Sequence, residues 1–142
     1  PSWTAAPSAG AEGLNTLMIQ MAGDTHTLGA HVATSQLRRM GAAVRILFGP
    51  DADGVIGALR EDRYDLVMVS CSRAESLETL AQLVKRVRHG LSSTPPIALG
   101  GLVLNHADRL KDRTGVDLVT GDVKVAFKLC DKQRVKQRPG TR

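Results

Sequence analysis

Five short apolar runs set the terms for this chain: Leu17–Ala22, Val44–Phe48, Leu66–Val69, Ile97–Leu99 and Val116–Val119. Each is too short for a buried helix. Several are continuous rather than alternating, which suits parallel strands covered on both faces. Helical patterns fill the gaps. Ala33, Leu37 and Met40 recur at helical spacing between Leu28 and Met40, and Gly41 comes next as a stop. Leu77, Leu80, Ala81, Val84 and Val87 form the clearest stripe, with Lys85, Arg86 and Arg88 on the wet side and Gly90 at its end. Val123, Ala126, Phe127 and Cys130 repeat the pattern. Asp51–Leu59 and Ala107–Arg113 read as weaker helices, the former carrying two glycines that each cost about 1 kcal/mol against alanine. A parallel neighbour requires a right-handed crossover, so strands alternating with helices predict a flavodoxin-like, doubly wound five-stranded α/β domain.

Composition narrows the functions such a domain could serve. The net charge of +5 is modest, and much of the basic excess lies from Lys124 onward. Aromatic residues make up only 3% of the chain, which argues against stacking surfaces for single-stranded nucleic acid. Cys71 and Cys130 stand far apart, suggesting neither a disulfide framework nor a zinc site, so a reducing cytoplasm is the natural setting. No apolar run approaches the roughly 18 residues that span a bilayer. Residues 1–13 are rich in Pro, Ala, Ser and Gly and read as a linker, 14–131 as the domain, and 132–142 as a basic tail. The chain opens at Pro1 rather than Met, which suggests a domain preceded by others.

In open parallel sheets ligands bind beyond the carboxyl ends of the strands, so the residues after each run carry the functional question. A phosphoacceptor domain would place an acidic residue after the third strand and a lysine after the fifth; Ser70 and Thr120 stand there. Neither a G-x-G-x-x-G string nor a P-loop Gly-Lys-Ser/Thr occurs. The first strand instead leads into Asp24-x-His26-x-x-Gly29. A carboxylate two residues before an imidazole can accept its N–H, fix its tautomer and raise the basicity of the other nitrogen toward a metal. Gly29 would let a bulky ligand approach the helix start. Read alone, the string serves equally as a helix cap at Asp24 with a solvated His26.

The string resembles the Asp-x-His-x-x-Gly signature of cobalamin-binding domains. Ser70-Cys71-Ser72 after the third strand is similar to that family's Ser-x-Leu, with Ser72 in place of Leu, and Gly100-Gly101 after the fourth is similar to its glycine pair. The resemblance covers roughly residues 14–131. It implies His26 as the lower axial metal ligand, Asp24 as its orienting partner, Ser70 lining a pocket for a nucleotide tail, and Gly100 and Gly101 letting that tail pass. Ser76 lies at the spacing of a third member of the ligand triad, and reads equally as the N-cap of the next helix. Ser72 and Ala74 depart from the corrin-facing Leu and Thr. An altered pocket behind a linker looks like the haem-binding variant, the "sensor containing haem instead of cobalamin" of AppA- and PpaA-type photosynthesis-gene regulators.

The implied cofactor is therefore one tetrapyrrole, haem or cobalamin, in a non-catalytic regulatory sensor that signals to a protein partner, a transcriptional repressor. The alternatives are a corrinoid carrier of a methyltransferase and a cofactor-free interaction module of the same fold. Cys71 is the second choice for the metal, as a thiolate; more often such a residue is small and buried. His31, His89 and His106 read as a helix residue, a helix-end cation and a loop residue.

Overall fold

Hydrogen bonding to Arg63 and Asp65, rather than hydrophobicity, decides where the first strand begins. Asn15 N donates to Asp65 Oδ2 at 2.9 Å and the Asn15 amide to the Arg63 carbonyl at 2.8 Å. Strand β1 accordingly spans Asn15–Gln20, two residues earlier than its apolar run. The computed structural model describes residues 13–22, 28–105 and 107–128. Within them lie α1 (Leu28–Arg39), β2 (Ala43–Phe48), α2 (Ala52–Glu61), β3 (Leu66–Ser70), α3 (Leu77–Gly90), β4 (Ile97–Gly100), α4 (Leu110–Thr114) and β5 (Leu118–Val119). Residues 123–128 are helical, and single 3-10 turns occupy Ala74–Ser76 and Leu102–Asn105.

The sheet order is β2-β1-β3-β4-β5 and every pairing is parallel. This is the doubly wound architecture that the alternating runs lead one to expect. The chain moves outward from β1 to β2, then returns across β1 to add β3, β4 and β5 on the other side. The order therefore reverses between β1 and β3, which opens a crevice at their carboxyl ends.

Alternate residues of each strand feed two separate cores. Leu17, Ile19 and Met21 join Val67, Val69 and Leu99 against Val55 and Ala58 of α2 and Leu80, Val84 and Val87 of α3. Met18, Leu66, Met68 and Ala98 face the other way, against Leu37 of α1 and Val123, Ala126 and Phe127. Burial on both faces explains why the strand sequences read as continuous apolar runs.

Three expected boundaries shift for local reasons. The fourth helix starts at Leu110, not Ala107, because Arg109 sits in the left-handed region (φ 51°) and breaks the helical path ahead of it. Val116 is buried, yet it precedes the β5 ladder, which pairs only from Leu118. Helix α2 runs to Glu61 despite its two glycines, because Asp51 caps it: the carboxylate accepts from Gly54 N at 2.8 Å. Asp51→Ala should lower stability by about 1 kcal/mol, measurable by urea denaturation, while leaving ligand binding unchanged.

No helix among the described residues is long and apolar enough to cross a membrane.

Candidate cofactor-binding site

One register row crosses the carboxyl end of the sheet. Phe48 pairs with Gln20, Gln20 with Ser70, and Ser70 with Gly100. The row lies two residues beyond Ile46, Met18, Met68 and Ala98, so its side chains share the face that carries α1. Backbone bonds hold its members in place. Met21 N donates to the Ser70 carbonyl at 3.2 Å, Gly49 N to the Gln20 carbonyl at 2.7 Å, and Cys71 N to the Gly100 carbonyl at 3.0 Å. At the switch point the row sets Gln20 beside Ser70, both buried.

Asp24 and His26 lie in the segment 23–27, outside the described residues. The flanks of that segment are Ala22, immediately past β1, and Leu28, the first residue of α1. Gly29 is the second residue of α1. His106, Cys130, the linker up to residue 12 and the tail from 132 are likewise outside the described residues.

The glycine pair has a reason within the chain itself. A Cβ on Gly100 would stand 2.8 Å from the Thr120 carbonyl oxygen. Gly101 has φ +108°, and its Cβ would stand 2.5 Å from the Cys71 carbonyl oxygen. That oxygen is engaged by Val103 N at 3.0 Å, so the 3-10 turn after β4 packs directly onto the backbone after β3. Two strand ends are thereby brought into contact, and only glycine permits the approach. The approach of Thr120 alone requires glycine at position 100.

The remaining sequence candidates divide. Ser70 ends β3 on the crevice row; Ser72 is buried just beyond it. Ser76 takes the N-cap position of α3, as one of its two readings expected, but its side chain makes no cap hydrogen bond; the preceding 3-10 turn leads directly into the helix. Cys71 is fully buried in the α2/α3 core and its thiol donates to the Arg73 carbonyl at 3.4 Å. This is the small-buried-residue role, on the face opposite Gln20. His31 is exposed, with its ring 6.4 Å from that of Phe48, and His89 lies in the last turn of α3. Among the described residues no group of three or more His, Cys, Asp or Glu side chains is placed to hold a metal.

Gln20 is the feature that reading by motif missed. It is 2% exposed, and neither its amide nitrogen nor its oxygen has a hydrogen-bond partner among the described residues. Thr34, on the sheet-facing side of α1 with Leu37, also buries a hydroxyl without a partner. Buried polar groups are nearly always satisfied, and an orphaned carboxamide costs on the order of 1–3 kcal/mol. The clue lay in the first apolar run, where Gln20 is its one strongly polar member and falls on the Met18 face. A ligand with a polar arm entering the crevice would meet this donor and acceptor, so the residues present fit a tetrapyrrole that carries such an arm.

Comparisons with known proteins agree with this fold. An uncharacterized 20.5 kDa protein in the bchF-crtJ intergenic region of Rhodobacter capsulatus is 33% identical over 117 residues; the match covers 82% of this chain and 61% of that relative. The fold is similar to a cobalamin-binding protein from Desulfitobacterium hafniense, with TM-score 0.72 and 17% identity, covering 84% of this chain and 58% of that one. It is similar also to the methanol:cobalamin methyltransferase complex MtaBC of Methanosarcina barkeri, with TM-score 0.67 and 19% identity, covering 83% and 45%. The B12 binding domain pattern matches residues 14–130, most of the sequence, and the chain belongs to that family.

Proposed function

We propose that this domain holds one corrinoid in the crevice above β1 and β3 and acts as a non-catalytic regulatory sensor, altering its contacts with a transcriptional repressor that controls photosynthesis genes. The observation that carries the corrinoid half is the orphaned Gln20 carboxamide at the switch point, within a chain of the B12 binding domain family. Haem offers propionates at its edge but no arm below the ring plane. Support for the regulatory half comes from the relative named for the interval between bchF and crtJ, a photosynthesis-gene setting.

In this reading the His26 imidazole would hold the cobalt. The Asp24 carboxylate would accept the other imidazole N–H and keep the ring in the right tautomer. Gly29 would leave clearance at the start of α1, and Ser70 would meet the arm. When bound, the corrinoid would supply a cobalt centre whose ligation responds to light and to redox change. The fold likeness to a methyltransferase complex favours a second reading, a corrinoid carrier that serves partner enzymes.

The test is retention of pigment through gel filtration after incubation with hydroxocobalamin or, separately, haemin. Retained hydroxocobalamin near one per chain is the expected result. Retention of haemin alone would move the assignment to the haem-binding variant, and retention of neither would leave an interaction module. Amide hydrogen exchange of the loaded chain then separates the two corrinoid readings: a sensor changes protection on illumination or reduction, and a passive carrier does not.

A further inference from the structure

We propose that the cleft between α3 and α4, at the amino ends of the strands, docks an acidic segment of a partner protein. It lies at the opposite end of the sheet from the crevice and stands independently of the corrinoid reading. Helix α3 leads into β4 and α4 into β5, so the carboxyl ends of both helices come to where those strands begin. Between them is an open cleft of about 390 Å³. Its floor is apolar, with Ala81, Val84 and Gly115, and its walls carry Lys85, Arg88, His89 and Arg113.

Most of this charge is not consumed within the fold. Arg88 is committed: it donates to Asp117 Oδ2 at 3.1 Å, and the same oxygen accepts from Ile97 N at 2.8 Å. Lys85, His89 and Arg113 are exposed, and their side chains form no ion pair with any described residue. A cation in the last turn complements the helix dipole, which accounts for Arg88 and His89. That effect falls off within one turn, so it does not reach Lys85, and α4 is only 5 residues long, so its dipole holds Arg113 weakly. Like charges gathered at one cleft repel, and an acidic occupant removes that cost.

The helix ends also decide between carboxylate and phosphate. Phosphate cradles are built from backbone N–H groups at helix N-termini. Here both helices bring their carboxyl ends to the cleft, where backbone carbonyls accept rather than donate. An acidic peptide complements every part of this surface. Its carboxylates meet the cationic walls, its backbone N–H groups meet the carbonyls, and its apolar side chains meet the floor.

The probe is a fluorescein-labelled peptide of repeating Glu-Leu-Asp triplets, titrated into the full chain by fluorescence polarisation, with amide shifts of the 15N-labelled chain locating its site. The expected result is saturable binding with shifts confined to the carboxyl halves of α3 and α4. The pair Lys85→Glu and Arg113→Glu should weaken the peptide about tenfold or more, since two attractions become repulsions. Lys124→Glu makes a charge reversal of the same kind at an exposed lysine of the 123–128 helix, in the opposite layer, and should stay within about twofold. Should the reversed pair fail to fold, Lys85→Gln with Arg113→Gln takes its place, and unchanged affinity in either pair overturns the proposal. Equal weakening by Lys124→Glu would mean attraction to net charge alone and also overturns it. So does a peptide that fails to bind or shifts residues elsewhere. Tripolyphosphate or duplex DNA that occupies the cleft more tightly than the peptide would reassign it to phosphate and contradict the choice of partner.

Discussion

Replacing Gly101 by alanine should lower stability by about 3 kcal/mol or more and the melting temperature by about 10 °C. Two costs combine. The backbone at φ +108° lies where an L side chain is strained, a penalty of roughly 1–3 kcal/mol. The added Cβ would also stand 2.5 Å from the Cys71 carbonyl oxygen and 3.0 Å from Cys71 N. Neither atom can retreat easily. Cys71 N donates to Gly100 and its carbonyl accepts from Val103, so moving one strand end breaks the tie to the other. Gly57→Ala supplies the control: it lies inside α2 with nothing within 4 Å of the added Cβ, and should stabilise by roughly 0.5–1 kcal/mol through helix propensity. If both substitutions have similar small effects, the proposed contact between the β3 and β4 ends is not a determinant of stability.

The second large effect concerns the ligand. His26→Ala should weaken hydroxocobalamin by more than about a hundredfold, because loss of an orienting partner alone typically costs 10- to 100-fold in metal affinity and here the ligand itself is lost. Asp24→Asn removes only the carboxylate and should cost about tenfold. That graded pair distinguishes a ligand–carboxylate unit from a helix cap. A capping Asp24 would lose stability on substitution by alanine with no change in pigment affinity, and a solvated His26 would tolerate alanine in both respects.

The fold was largely legible because burial on both sheet faces writes a strong, local signal. Leu66–Val69 and Ile97–Leu99 are apolar at every position, and the structure extends each by one residue, to Ser70 and Gly100. Those two added residues are polar or small, which hid their strand character and also put them on the crevice row. The boundary at α4 was not legible. A positive φ at Arg109 carries no residue signal, since arginine has no preference for that region.

The site divided in the same way. Ser70 and the glycine pair were found through the family resemblance at the strand ends, which does not give their structural reasons. That Gly100 and Gly101 admit Thr120 and Cys71 backbone depends on strand order, which spacing does not encode. Gln20 shows the limit most plainly. Whether a buried amide is satisfied is a property of everything around it, so a polar residue in an apolar run becomes informative only when its neighbours are placed.

On the proposed reading, a histidine nitrogen of this chain, that of His26, holds the cobalt. Electron paramagnetic resonance of the cob(II)alamin-loaded chain tests it most directly, comparing protein made with ordinary histidine and with 15N-histidine. The expected result is that the superhyperfine triplets collapse to doublets on labelling and that the signal changes in His26→Ala. Triplets that persist in the labelled chain would place the ligand's own base on the metal and contradict the assignment.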